Sequence, residues 1–238
     1  MTEEHLRLLL IETSGQPGQV GLAKGDRLLC SRSLSAARRH ARDLAPTVKA
    51  LLAELGWRPR DLQAVAVSRG PGSYTGLRVG IISAKALAYA LNIPILAVDT
   101  FPILALQAGP GEDLDVLEDA QQDKVYVQRF RWAATQTRPE PLDALTIRPF
   151  SDWLRDLPPN LRVTGPALEV ASFRTRLPPT VRVLPQESWH PQLAAMLTLA
   201  RDQWARGEVA DLWRLEPLYL RPSEAEEAWE RRKPATRS

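Results

Sequence analysis

The segment SRGPGSYTGLRVG at 68–80 is the first candidate for chemistry in this sequence. Glycine-rich turns that bind phosphate follow the spacings G-x-x-x-x-G-K-[ST] or G-x-G-x-x-G. Here the spacing from Gly70 is G-x-G-x-x-x-G, and Leu77 stands where the first pattern has lysine. Neither pattern fits. Ser73 or Thr75 can instead cap the helix that follows, whose free N–H groups can still attract an anion.

Side chains for hydrolytic or metal chemistry are few and widely spaced. Ser73 lacks the glycine that a G-x-S-x-G nucleophile turn places two residues earlier, because Pro71 stands there. The three histidines and the single cysteine, Cys30, form no H-x-x-x-H, H-E-x-x-H or C-x-x-C pattern. We therefore predict no catalytic residue of these classes, and no metal site with ordinary ligand spacing.

Three carboxylates, Glu12, Asp99 and Asp119, end predicted strands. Strand ends in an α/β fold border the ligand cleft, where paired carboxylates can hold a nucleotide and its magnesium. The residues that follow Glu12 and Asp119 are TSGQP and AQQDK, and neither is a glycine-rich phosphate turn. Two interpretations stay open: these are catalytic carboxylates, or they are cleft residues without the rest of a catalytic site.

The elements that position these residues form two similar halves. Continuous apolar runs such as LRLLLIET at 6–13 predict strands buried on both faces, and longer amphipathic runs predict helices. In the first half, the predicted strands are 6–13, two within 19–33, 62–68 and 93–100, and the predicted helices are 41–56, 75–92 and 101–108. In the second half, the predicted strands are 114–121, 124–132, 144–150, 161–167 and 181–186, and the predicted helices are 151–157, 168–177 and 191–207.

The order βββαβαβα thus occurs twice and predicts an α/β fold with two lobes, at 1–108 and 109–238. The second lobe is expected to end in the helix at 191–207 and a tail. This duplicated arrangement resembles the actin-like ATPase and sugar kinase superfamily (ASKHA, RNase H-like). That fold alone does not give a function, because kinases, chaperones, filaments and inactive scaffolds share it.

Composition limits the class of protein. The 31 basic and 28 acidic residues give a net charge of +3, which only weakly indicates a nucleic-acid partner. A single cysteine fits a reducing compartment. The apolar run LRLLLI has six residues, too few to cross a membrane, and acidic residues precede it, unlike a signal peptide. We expect a cytoplasmic protein that does not contact a membrane.

Small residues form a stripe on the second predicted helix. Gly76, Gly80, Ala84 and Ala88 are spaced by four, which places them on one face. Glycine inside a helix costs about 0.8–1 kcal/mol relative to alanine. Gly80 therefore indicates a close neighbour, either the sheet of the same chain or a helix of another subunit.

Five segments resemble one protein family, TsaB (formerly YeaZ), in the same order. The segment at 68–80 resembles the family signature G-R-G-P-G-S-[FY]-T-G-[LV]-R-[IV]-G, with Ser68 in place of its first glycine. LLLIETS, RRHARDLAPTVKALL, LEDAQQDKVYV and EPLYLR resemble its opening strand, first helix, second-lobe hairpin and closing motif. Two further residues depart from the family: Glu12 replaces aspartate, and Lys124 replaces a common glutamate.

The resemblance implies a role in making N6-threonylcarbamoyladenosine beside the anticodon of tRNA. In the family this chain is a non-catalytic subunit with no cofactor of its own. It binds the catalytic paralogue TsaD, which carries a metal on its H-x-x-x-H motif, and TsaE supplies an ATPase. The tRNA would be bound through the complex, and a homodimer of the isolated chain is left open.

The resemblance also implies that the helices at 40–56 and 75–91 form the interface with TsaD. The contact residues expected on these helices are His40, Leu44, Thr47, Val48, Leu51, Gly76, Arg78, Gly80, Ile81 and Ala84. Two other functions stay open. An actin-like small-molecule kinase would need a complete ATP site, and a glycoprotease-like peptidase acting on its partner would need a nucleophile.

Overall fold

The computed structural model describes residues 5–34, 40–133, 136, 138–218 and 220, without the side chains of His40 and Ala41. It contains two mixed sheets. The first has the order β3-β2-β1-β4-β5, in which β1, β4 and β5 are parallel and β2 is antiparallel to both neighbours. Its strands are β1 (Arg7–Glu12), β2 (Gln19–Lys24), β3 (Arg27–Ser33), β4 (Ala64–Gly70) and β5 (Ile95–Asp99).

The first sheet is covered on both faces, which explains the unbroken apolar run in β1. Leu9 and Ile11 belong to the core under α1 (His40–Glu54) and α2 (Tyr74–Leu91), whereas Leu8 and Leu10 belong to the core on the opposite face. A strand with two buried faces needs apolar residues at every position. A third helix, α3 (Thr100–Gln107), contributes Ile103 to the opposite core.

The second sheet repeats the topology of the first. Its order is β11-β10-β6-β7-β8, and β9 also pairs with β7. The strands are β6 (Gly111–Asp119), β7 (Lys124–Trp132), β8 (Glu140–Pro141), β9 (Thr146–Pro149), β10 (Arg162–Thr164) and β11 (Arg182–Val183). As in the first sheet, the opening strand lies in the centre, with its antiparallel hairpin on one side and parallel strands on the other. This duplication confirms the predicted two-lobed α/β fold of the actin-like type.

The helices of the second lobe are shorter than predicted. The lobe contains α4 (Phe150–Arg155) and α5 (Ala171–Arg174), and a 3-10 turn over Pro166–Glu169 replaces the first two residues of the helix predicted at 168–177. Pro166 begins that turn because its fixed φ suits the first position of a helical turn. Elsewhere α1 passes through Pro46, so the helix begins well before the proline.

The last helix, α6 (Leu193–Ala205), corrects the predicted division of the chain. The sequence predicts it as the closing helix of the second lobe, but Leu193, Met196 and Leu197 pack in the core of the first lobe with Leu8 and Leu10. Burial of the apolar stripe decides this position, because the helix covers the face of the first sheet opposite α1 and α2.

The chain beyond α6 also returns to the first lobe. Ala210 pairs with Ile95 at the edge of β5, and Leu215 is buried in the core under α1 and α2. The first lobe is therefore completed by residues from the end of the described chain. In the described part of the chain, no helix is long and apolar enough to cross a membrane.

Candidate functional site

A cleft of about 890 Å³ lies between the two lobes, where β1 and β6 end. Its walls come from the turn after β1, the glycine-rich loop and the start of α2 on one side, and from the end of β6 and the 3-10 turn on the other. The residues that line it are Ser14, Gly15, Gln16, Pro71, Gly72, Ser73, Tyr74, Leu77, Arg78, Glu118, Asp119, Ala120, Gln121, Tyr126, Pro166, Glu169, Val170, His190 and Leu218.

The glycine-rich loop packs against the turn that follows β1. Ser73 N–H donates to Ser14 O at 2.8 Å, and Ser73 Oγ accepts the N–H of Gly76 at 3.2 Å. A side chain at Gly72 would bring its Cβ within 2.8 Å of Ser14 Cβ. Of the two residues considered as the cap of α2, Ser73 is the one observed, and the loop allows two segments of the same chain to approach closely.

The small-residue stripe of α2 faces the same turn. A Cβ at Gly76 would collide with the carbonyl oxygen of Thr13, and one at Gly80 would collide with the Thr13 hydroxyl. Of the two neighbours considered for Gly80, the structure places its own chain there, at the end of β1 and the turn that follows it. At Gly76 and Gly80, Thr13 already fills the space that a partner helix would need.

Most residues expected to contact a partner are buried in the core of the chain itself. The buried ones are Leu44, Val48, Leu51, Gly76, Gly80, Ile81 and Ala84. They cannot contact another molecule while the chain is folded, because the apolar sides of both helices face the first sheet. Thr47 is half-buried and Arg78 is exposed, whereas the side chain of His40 lies outside the described residues.

The exposed side of α2 carries an apolar patch that the sequence analysis missed. Ile82 and Tyr89 have 65% and 68% of their surface exposed, and Trp213 has 74%. The Trp213 and Tyr89 rings meet edge to face, with centroids 5.8 Å apart. Lys85 Nζ fixes this arrangement by donating to the carbonyl oxygens of Trp213, at 3.2 Å, and Leu215, at 3.1 Å. We call Ile82, Tyr89 and Trp213 the outer patch.

Glu12 is a structural carboxylate. It is fully buried and accepts hydrogen bonds from the N–H of Ser14 at 2.8 Å, from the Ser14 hydroxyl and from the N–H of Gly15 at 3.4 Å. Burial raises the pKa of Glu12, and hydrogen bonds from Ser14, Ser68 and Gly15 oppose that shift. Two departures from the family pattern, Glu12 and Ser68, are therefore in contact. Ser68 Oγ also accepts the N–H of Thr13 at 3.0 Å.

The other two predicted carboxylates have different surroundings. Asp99 forms a two-point ion pair with Arg69, at 2.7 and 2.9 Å, and does not line the cleft. Asp119 does line the cleft and accepts the N–H of Gln121 at 2.7 Å. The structure therefore brings only one of the three strand-end carboxylates to the cleft surface.

Two further acidic residues line the cleft, Glu118 and Glu169, and neither belongs to a motif from which the sequence analysis could have predicted it. Burial raises the pKa of Glu118 to about 8, and the nearby charges of Asp119, Glu169 and Glu12 add to this shift. Glu169 Oε1 lies 2.7 Å from His190 Nε2. The described hydrogen bonds do not join His190 to Ser73, so they form no nucleophile and base pair. Among the described residues, no group of His, Cys, Asp or Glu side chains is arranged to hold a metal ion.

Comparison with known proteins places this geometry in a family. Residues 34–146 match the family model described as TsaD: tRNA N6-adenosine threonylcarbamoyltransferase. The chain is 28% identical over 230 residues to the tRNA threonylcarbamoyladenosine biosynthesis protein TsaB of Bacillus subtilis, covering 94% of this chain and 98% of the relative.

Two solved structures agree with this match over their full length. YeaZ from Pseudomonas aeruginosa is 28% identical with a TM-score of 0.74, over 90% of this chain and 100% of that chain. A crystal structure titled an uncharacterized protein with similarity to peptidase YEAZ from Pseudomonas aeruginosa is 31% identical with a TM-score of 0.77, over 91% of this chain and 100% of that chain. The chain therefore belongs to the TsaB (YeaZ) family, whose named members are tRNA threonylcarbamoyladenosine biosynthesis proteins.

Proposed function

We propose that this chain is a non-catalytic subunit in tRNA N6-threonylcarbamoyladenosine synthesis that binds and activates TsaD through the outer patch. The observation that carries the proposal is the exposure of Ile82, Tyr89 and Trp213 on one surface. Contiguous exposed apolar residues mark protein interfaces, and aromatic residues dominate the binding energy of such interfaces. The proposal keeps the helices that the family resemblance indicates but uses their opposite side.

The neighbouring helix extends this surface. Ala45 and Ala53 are exposed on α1, which packs beside α2. Small side chains on an exposed helix face let a partner helix approach closely. The proposed interface therefore combines a shallow surface on α1 with the aromatic residues beside α2.

A non-catalytic role agrees with how two of the three strand-end carboxylates are used. Glu12 is committed to the turn after β1 and Asp99 to Arg69, so neither is available to bind a nucleotide with its magnesium. We therefore assign no cofactor to this chain, and assign the ATP and metal of the reaction to the partner subunits TsaE and TsaD. Binding of tRNA through the complex and the cytoplasmic location stay predictions.

The test measures the affinity of the full chain for the TsaD protein of the same genome. Ile82→Asp and Trp213→Ala should each weaken binding by at least about 30-fold, because central interface residues contribute about 2 kcal/mol or more. Leu142→Asp is the matched control, since Leu142 is an exposed apolar residue, at 44%, in the second lobe. If Ile82→Asp binds TsaD as tightly as the control does, the outer patch is not the interface.

A second measurement separates this role from the alternative functions. With tRNA and threonylcarbamoyl-adenylate supplied as acceptor and donor, the full chain alone should not transfer threonylcarbamoyl to tRNA, and it should restore transfer when added to TsaD, TsaE and ATP. Transfer by the chain alone would refute the non-catalytic role. Tight nucleotide binding by the isolated chain would favour the kinase alternative, and loss of partner processing in Ser73→Ala would favour the peptidase alternative.

A further inference from the structure

Three cations stand directly opposite one another across the first sheet. The strand register pairs Arg7 of β1 with Lys24 of β2, and Lys24 with Arg27 of β3. Residues that pair in this way point to the same face, and like charges at such positions are destabilising. Lys24 and Arg27 are both exposed. Folding therefore brings these positive charges together, and their repulsion lowers the stability of the folded chain.

The segment after α1 adds to this charge. The guanidinium carbon of Arg7 lies 4.9 Å from the centre of the Trp57 ring, and such stacking holds the guanidinium plane in place. Arg58, whose side chain is 64% exposed, lies 3.6 Å from Asp61 Oδ1, and the same oxygen lies 3.9 Å from Arg7. Asp61 is therefore shared by two arginines.

Three of these residues, Arg7, Lys24 and Asp61, lie at a shallow depression of about 340 Å³. It is lined by His5, Arg7, Lys24, Asp61 and Gln63. We call Arg7, Lys24, Arg27 and Arg58 the basic edge. The described carboxylates nearest to it in the chain are Asp26, in the turn between Lys24 and Arg27, and Asp61, so cations exceed carboxylates by two.

We propose that the basic edge binds the phosphate backbone of RNA. Its row of cations extends over two strand spacings, about 10 Å, which suits a linear polyanion better than a single small anion. Arginine and lysine are the usual ligands of nucleic-acid phosphates, and arginine can contact two phosphate oxygens at once. Of polyanions, RNA is the one that the proposed function supplies, so the proposal rests on that function and adds a tRNA-contacting surface to it.

The location of the basic edge suits a subunit with several contacts. Arg7 begins β1 and Glu12 ends it, so the basic edge and the cleft lie at opposite ends of the strand. The outer patch, on α2 and the segment after α6, shares no residue with the basic edge. An RNA bound at the basic edge therefore uses none of the residues that line the cleft or form the outer patch.

The test measures binding of fluorescently labelled tRNA to the full chain over about 50–200 mM salt, a range in which phosphate contacts weaken strongly. We expect binding to weaken with salt. The double variant Lys24→Ala and Arg27→Ala should lower the slope of log affinity against log salt by about 2, since each phosphate contact contributes nearly one. Its affinity should fall by at least about tenfold at 0.1 M salt.

The control is the double variant Arg155→Ala and Arg182→Ala, which removes two exposed arginines from the second lobe. It changes net charge equally and should keep the original slope. Equal losses in both double variants, or no salt-dependent tRNA binding by the unaltered chain, would overturn the proposal. Tighter binding to phosphatidylglycerol vesicles than to tRNA would assign the basic edge to a membrane surface instead.

The outcome is separable from that of the proposed function. TsaD affinity, measured on the same samples, should be unchanged in both double variants. If the unaltered chain fails to bind TsaD, the proposed function is lost while the RNA result stands. The melting temperature of Lys24→Ala and Arg27→Ala should be equal to or above that of the unaltered chain, because opposed cations are removed.

Discussion

Replacing Gly80 with alanine should destabilise the chain, although alanine is the better helix former. Helix propensity favours the change by about 0.8–1 kcal/mol. The new methyl group, however, would collide with the hydroxyl of Thr13 and lie 3.5 Å from Ile11 Cγ2. Overpacking of this kind costs about 1–3 kcal/mol. The expected net loss is about 0–2 kcal/mol, which lowers the melting temperature by up to about 8 °C in a chain of this size.

A double-mutant cycle with Thr13→Ala identifies the colliding atom. Thr13 is fully buried, its hydroxyl has no hydrogen-bond partner among the described residues, and a β-branched side chain has little freedom to rotate away. Once that hydroxyl is removed, Gly80→Ala should be neutral or stabilising, by up to about 1 kcal/mol from helix propensity. The two changes should therefore couple by about 1–3 kcal/mol.

Gly76→Ala is the matched control for this cycle. Its methyl group would collide with the backbone carbonyl of Thr13, which the substitution at residue 13 leaves in place. Gly76→Ala should therefore destabilise equally in both backgrounds. The measurement is thermal or urea unfolding of the four Gly80 cycle members and the two Gly76 variants. A higher melting temperature for Gly80→Ala in the unaltered background would refute the reasoning.

Two further predictions concern the second lobe. Buried Asp115 pairs with Arg129 at 2.6 and 2.8 Å and accepts a hydrogen bond from Trp153 Nε1–H at 2.8 Å. Asp115→Ala should therefore lower the free energy of unfolding by about 3–5 kcal/mol. The control, Asp113→Ala, removes the exposed ion pair with Arg131 and should cost much less. Comparable losses in urea unfolding for the two variants would contradict this.

Burial raises the pKa of Glu118 to about 8. Between its unfolded and folded pKa values, the folded state therefore holds a proton that the unfolded state has lost. Stability should therefore fall as pH rises from about 5 to 8, and Glu118→Gln should reduce that fall in melting temperature; an unchanged pH profile would refute it.

Most of the fold could be predicted from the sequence, because the residue patterns that indicate strands and helices are local. Period and length separate strands such as Arg7–Glu12 from helices such as Tyr74–Leu91, and repetition of their order reveals two lobes. The sequence does not predict which lobe α6 packs on, because its apolar stripe indicates that one face is buried but not which sheet that face contacts. The two-residue strand β8 is too short to show any period.

The site was readable only in part, since its geometry depends on residues far apart in the chain. The cap at Ser73 follows from a local pattern, but Glu118, Glu169 and His190 come together only through packing within the second lobe. Likewise, the most basic runs of the sequence lie at 38–42 and 231–233, whereas the basic edge collects single cations from separate strands and a turn.

The burial of most predicted contact residues has an instructive reason. Apolar and small residues on α1 and α2 suit contact with a partner, yet the same residue types at the same spacing are needed to pack a helix on its own sheet. Spacing alone cannot separate the two uses. Exposure in the folded chain separates core residues from interface residues. Ile82 and Tyr89 are exposed on the outer side of α2, and Trp213, far along the chain, contacts the Tyr89 ring and enlarges this exposed apolar surface. The core needs none of these three exposed side chains, and for that reason the proposed TsaD interface is placed on them.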